Sequence, residues 1–186
     1  MQEKEHILKV LKSVKKALRT KDYIKIKHLS DYVIHSSSID QDTNIILVAV
    51  IIYSLSKLIE RESYKSEKNW GDFYKKYIQN LDDLINALEK DDYERFEEEI
   101  NQTVSIIQNL SGNLKIYINE VFRKAKINKA SRIYEHGISM EKTAKILGIT
   151  VWELAEYAGR TRIGDVNLAV TMPIRDRIKT VEDLFK

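Results

Sequence analysis

The chain contains no cysteine, which excludes disulfide staples and any zinc site built on thiolates. One proline and six glycines leave long stretches with nothing to interrupt a helix, and that scarcity favours an all-α protein. Neither sign of charge dominates: the formal net charge is +3, with 32% charged and 43% hydrophobic residues, a globular composition. A length of 186 residues fits one large or two small domains with a real core. The opening "MQEKEHILKV" lacks the apolar core of a signal peptide. The longest apolar run, "NIILVAVIIYSLSKLIE", is uncharged from Thr43 to Ser56. Roughly 20 apolar residues are needed to span a bilayer, so this shorter run reads as a helix buried on all sides. The expectation is a cytoplasmic protein with no membrane partner and no cofactor.

What is present is helical periodicity. Ile7, Leu11, Val14 and Leu18 share one face of a first helix that ends before "RTKD". A second runs from Tyr23 to Ile34 with Ile26, Leu29 and Val33 on one side, and "HSSSIDQD" reads as a polar loop before the buried third. Asp72 is placed to cap a fourth helix striped by Phe73, Tyr77, Leu81, Leu84 and Leu88. Asp91 with Glu94 reads as a cap pair for a fifth, carrying Phe96, Ile100, Val104 and Ile107 inward, with Gly112 as its stop. No internal repeat is evident.

Through residue 110 there are 17 Lys and Arg against 19 Asp and Glu; beyond it, 14 bases face 9 acids. The positive excess therefore arises in the C-terminal part, which places a boundary near Gly112: a helical bundle over 1–112, a second domain over 113–164 and an arm over 165–186. The acidic run "EKDDYERFEEE" is read as a solvated turn and helix face.

After Gly112 comes a long helix with Ile118, Val121, Phe122 and Ala125 on its apolar side and Arg123, Lys124, Lys126, Lys129 and Arg132 along it. Gly137 closes it. Ser139 can cap "MEKTAKIL", Gly148 suits a turn at positive φ, and Thr150 with Glu153 spells the capping box Thr-x-x-Glu. Ala144 is small where two helices would cross, and Leu147, Ile149, Leu154 and Tyr157 supply a shared core. Over about residues 115–164 this resembles the helix-turn-helix domain of prokaryotic DNA-binding regulators. The resemblance implies a three-helix unit whose last helix lies in the major groove of double-stranded DNA.

That last helix would turn Thr150, Val151, Trp152, Ala155 and Glu156 outward, and none is Arg or Lys, the usual readers of guanine. Glu153 is explained by capping; Glu156 would accept from cytosine or lie off the phosphates. Phosphate contacts fall to Lys142 and Lys145 before the helix, Arg160 and Arg162 after it, and Lys126 and Lys129 on the basic helix in front. An exposed tryptophan is equally an anchor for a protein partner. A helical interaction module with no nucleic-acid role is therefore the second reading.

The tail "DVNLAVTM" alternates Val166, Leu168, Val170 and Met172 like a strand, Pro173 ends it, and "TVEDLF" can form a short helix. A lone strand needs another edge, so the arm 165–186 is expected to engage a protein partner or a second copy in a homodimer. A helix-turn-helix followed by a partner-binding arm resembles the layout of prokaryotic antitoxins. No nucleophile elbow, phosphate-binding glycine loop or HExxH occurs. His28 and His35 share a helix face with Asp31 but lack the i, i+4 spacing of helical zinc pairs. Arg132 and His136 do stand at i, i+4; the resemblance to helical-bundle ribonucleases fails at the spacing, which is wider there, and such a ribonuclease is the third reading. The expectation is no enzyme, no catalytic residue and no metal.

Overall fold

The computed structural model describes residues 4–40, 42–61 and 65–161, the side chains of 36–40 excepted. The chain is all-α. The helices are α1 (Lys4–Arg19), α2 (Tyr23–Asp40), α3 (Thr43–Glu60), α4 (Trp70–Glu89), α5 (Tyr93–Gln108), α6 (Gly112–Glu135), α7 (Met140–Leu147) and α8 (Val151–Thr161), and no strand occurs among the described residues. Arg162, the alternating segment Val166 to Met172, Pro173, the expected helix from Thr180 and the whole arm 165–186 lie outside the described residues.

The apolar run makes α3 the centre. Every residue from Val48 to Ser56 is buried, which is more than two turns and hence every face of the helix. By length and composition α3 could cross a membrane, with mean hydropathy 1.6, but 67% of it is buried within the fold. α2 lies along it most extensively, and α5, α6 and α7 cover other sides. Its polar groups are locked internally: the Ser30 hydroxyl donates to the Ala49 carbonyl (2.8 Å) and the Tyr77 hydroxyl to that of Ile51 (2.9 Å).

The stripe expected on α4 is buried in full. On α5 the inward set is Phe96, Glu99, Ile100, Thr103 and Ile107, while Val104, expected inward, is 48% exposed. The phase is set by a buried polar cluster, in which Thr103 donates to Asn80 Oδ1 (2.6 Å) and Asn80 Nδ2 donates to Glu99 Oε2 (2.9 Å). With Thr103 turned toward α4, Val104 lies about 100° further round the helix, on its solvent side.

Two turns are built alike, and a short sequence pattern recurs at both, which corrects the expectation of no internal repeat. "ALRTKDY" (17–23) and "ALEKDDY" (87–93) join α1 to α2 and α4 to α5. Lys21 and Asp91 both take left-handed φ, +53° and +58°. The next residue, Asp22 or Asp92, donates its N–H to the alanine carbonyl (3.0 and 2.9 Å). Each aspartate then caps the helix it starts, accepting from the N–H of Lys25 or Arg95 (both 2.9 Å). The cap of α5 is thus Asp92, one residue beyond the expected Asp91, because Asp91 supplies the turn.

Other boundaries also differ. α2 continues through Asp40, where a loop from His35 is expected; serines without glycine or proline carry only a small helix penalty. α4 begins at Trp70 after a left-handed Asn69 (φ +73°), so Asp72 sits in the first turn, where a carboxylate favours the helix dipole. α5 closes at Asn109, and Gly112 (φ +60°) opens α6 instead of stopping α5. One contiguous core runs from Ile7 on α1 to Leu154 on α8, so burial is continuous across the boundary placed near Gly112.

α6 is tied to the bundle by a buried charge. Lys129 is 0% exposed; its Nζ reaches Asp31 Oδ1 on α2 at 2.6 Å and lies 4.3 Å from the centroid of the Tyr53 ring on α3. Burial lowers the Lys129 pKa to about 8 from 10.5, with Asp31 opposing. Between those values the unfolded chain holds more protons than the folded one, so stability rises with pH there. Burial holds the Tyr53 hydroxyl protonated, at about 12. Below the range where unfolded tyrosines ionise, urea unfolding should show a gain of about 1 kcal/mol from pH 8 to 9, and Lys129→Met should flatten it. A wild-type profile that falls across this window would contradict the assignment.

Candidate nucleic-acid interface

α6, α7 and α8 pack on one another, with Ile133, Ala144, Leu147, Leu154 and Ala158 buried between and beneath them. Local chemistry sets each end. Gly137 takes φ +88° past the end of α6. Ser139 Oγ accepts from the Lys142 N–H (3.2 Å) and starts α7. Gly148 takes φ +59°, which lets the Ile149 N–H reach back to the Ala144 carbonyl (3.1 Å). A β-carbon there would meet no atom within 4 Å, so it is the backbone angle, not space, that calls for glycine.

The capping box at the start of α8 is complete. The Thr150 N–H donates to Glu153 Oε2 (2.9 Å), and the Glu153 N–H donates to Thr150 Oγ1 (3.1 Å). Arg123 on α6 adds a third contact, its guanidinium 2.9 Å from Glu153 Oε1. The hydrogen bonds from the Thr150 backbone and hydroxyl, then from Arg123, hold this carboxylate at about 2. Glu153 therefore stays charged at any physiological pH, and its charge is spent inside the protein.

Of the residues expected to face outward on α8, Trp152 is 82% exposed, Val151 is 39% exposed, and Thr150 and Glu156 are also exposed, whereas Ala155 is half-buried. The basic residues divide into four groups. Lys142 and Lys145 on α7 are exposed, Lys126 on α6 is half-buried, and none has an ion-pair partner among the described residues. Arg160 is exposed and meets Glu156 at 3.3 Å, a surface pair of little strength. Lys129 has to be withdrawn as a phosphate contact, because it is fully buried against Asp31 and Tyr53. Arg123, Lys124 and Arg132 face Glu120, Glu153 and Glu135. The basic helix is thus largely neutralised in place, and Arg123 in particular has a partner thirty residues away that no sequence spacing announces.

At the other end of α6, His136 lies with its ring centroid 5.0 Å from that of His35 on α2. Burial and the neighbouring imidazole lower its pKa. Among the described residues no group of three or more metal-ligating side chains gathers here or elsewhere. Compared with known protein families, curated proteins and solved structures, the chain matches none.

Removing the Thr150 hydroxyl tests the local architecture. Thr150→Ala should cost about 1 kcal/mol and speed amide exchange in α8 while leaving α4 unchanged. Equal acceleration in both helices would mean that the box does not act locally.

Proposed function

We propose that α6, α7 and α8 form a helix-turn-helix that binds double-stranded DNA, in a regulator of antitoxin-like layout that acts as a homodimer. The observation that supports it best is the exposed start of α8. Val151 and Trp152 project from a helix N-terminus whose own acid, Glu153, is neutralised, and unpaired Lys142 and Lys145 stand on the preceding helix. An N-terminal turn presented this way suits entry into a groove, with phosphates held from the flanks. Base readout falls to Trp152, against a thymine methyl or sugar, and to Glu156, as an acceptor for cytosine. Arg160 can exchange its weak surface pairing for a phosphate.

Trp152 also favours a second reading, an interaction module. An indole this exposed beside Val151 is the kind of anchor that carries protein interfaces. In that case Glu156 and the apolar pair form the contact surface and the lysines its rim.

Fluorescence anisotropy with duplex DNA separates the two. With about three phosphates neutralised, log K should fall against log salt with a slope of roughly −3. Lys142→Ala with Lys145→Ala should weaken all duplexes and flatten that slope by about 2, whereas Trp152→Ala should change preference among sequences. No duplex affinity at low salt would remove the DNA reading and leave the interaction module. For the oligomer, light scattering should give twice the chain mass; a monomer at micromolar and higher concentrations would contradict the dimer.

A further inference from the structure

α3, α6 and α8 border a cleft of about 690 Å³, flanked on α8 by Glu153, Glu156, Tyr157 and Arg160, within the size range of small-molecule sites. Its charge is lopsided. Lys57 and Arg61 come from the end of α3, Arg123 and Lys124 from α6 and Arg160 from α8, against the carboxylates of Glu153 and Glu156. Glu153 is occupied by Thr150 and Arg123. Lys57, Lys124 and Arg160 hold carboxylates one helical turn away on their own helices, at 2.6, 3.0 and 3.3 Å. Pairs of that kind contribute little, so a multivalent anion could redirect these cations at small cost. Arg61 has no carboxylate partner among the described residues and is exposed at the rim.

A second feature lies in the same cleft. Asn128 Nδ2 donates to the Tyr157 hydroxyl (3.0 Å), but Asn128 Oδ1 is buried with no hydrogen-bond partner. Such an acceptor is normally satisfied, and because this one lies beneath the cleft surface, a turn of the Asn128 side chain is needed to offer it to an N–H donor there. Tyr53, Val121 and Ile127 make the wall beside it apolar, which suits a flat ring.

From a cationic rim, an apolar wall and one unsatisfied acceptor, we infer that this cleft binds a nucleoside phosphate. The phosphates lie among Arg61, Lys57 and Arg160, and an amino group of the base donates to Asn128 Oδ1. Glu156 and Arg160 border this cleft and also belong to the proposed DNA face, so the inference is tested with no DNA present and stands or falls apart from that reading.

Calorimetric titration of the full chain with ADP, and separately with inorganic pyrophosphate, tests it at low ionic strength without divalent metal. ADP should bind at least tenfold more tightly than pyrophosphate. Arg61→Ala, an exposed change that leaves the core untouched, should weaken both ligands about fivefold to tenfold. Asn128→Leu should weaken ADP alone and close the gap to pyrophosphate; if that variant does not fold, Asn128→Ser makes the same comparison. The assignment is overturned by no ADP binding at millimolar concentration. Pyrophosphate binding as tightly as ADP would also overturn it, as would an Arg61→Ala variant that binds both ligands unchanged.

Discussion

A helix that is apolar on every side cannot rest against one neighbour. It must be enclosed, and the need to enclose α3 dictates most of this structure. α2 covers one side along its length, and α5, α6 and α7 cover others. Because α6 is part of that enclosure, the segment with the DNA-binding resemblance shares the core of the bundle instead of hanging from it. The buried pairing of Lys129 with Asp31 reinforces the same junction. Removing Asp31 would leave the Lys129 charge buried without its partner, so the contact fixes where α6 sits more than it adds stability.

This arrangement decides what the basic residues can do. A positive helix in sequence becomes, once folded, a helix whose charges mostly serve its own protein: Lys129 faces the bundle, Arg123 braces α8, and Arg132 meets Glu135. The cations left over stand on α7, at the end of α8 and around the cleft. Under the proposed DNA reading, specificity rests on few groups, chiefly Trp152 and Glu156, with affinity drawn from general electrostatics.

Much of the fold is legible in the sequence because helical periodicity is local. The stripe on α4, the all-round burial of α3, the Ser139 cap, the left-handed Gly148 and the Thr150–Glu153 box are all set by residues within a turn or two of one another. What escapes is nonlocal. Val104 looks inward until Asn80, 24 residues earlier, pairs with Thr103 and fixes the phase of α5. Lys129 looks like a surface base until Asp31 and Tyr53 enclose it. Asp91 looks like a cap because adjacent aspartates differ only in backbone angle, which the chain decides when the turn closes. Likewise the cleft joins Arg61, Asn128 and Tyr157 from three helices, and no spacing links them.

Contact between the start of α8 and DNA, as proposed, can be tested in one spectrum through the two tryptophans. Trp70 is half-buried and packed against Phe73 and Tyr74, with centroids 5.7 and 5.5 Å away, far along the chain from Trp152. Indole N–H resonances followed during titration with a short duplex at low salt should show the Trp152 signal moving while the Trp70 signal stays in place. A Trp152 resonance that is unmoved by saturating duplex, or that moves no more than Trp70, would contradict the account.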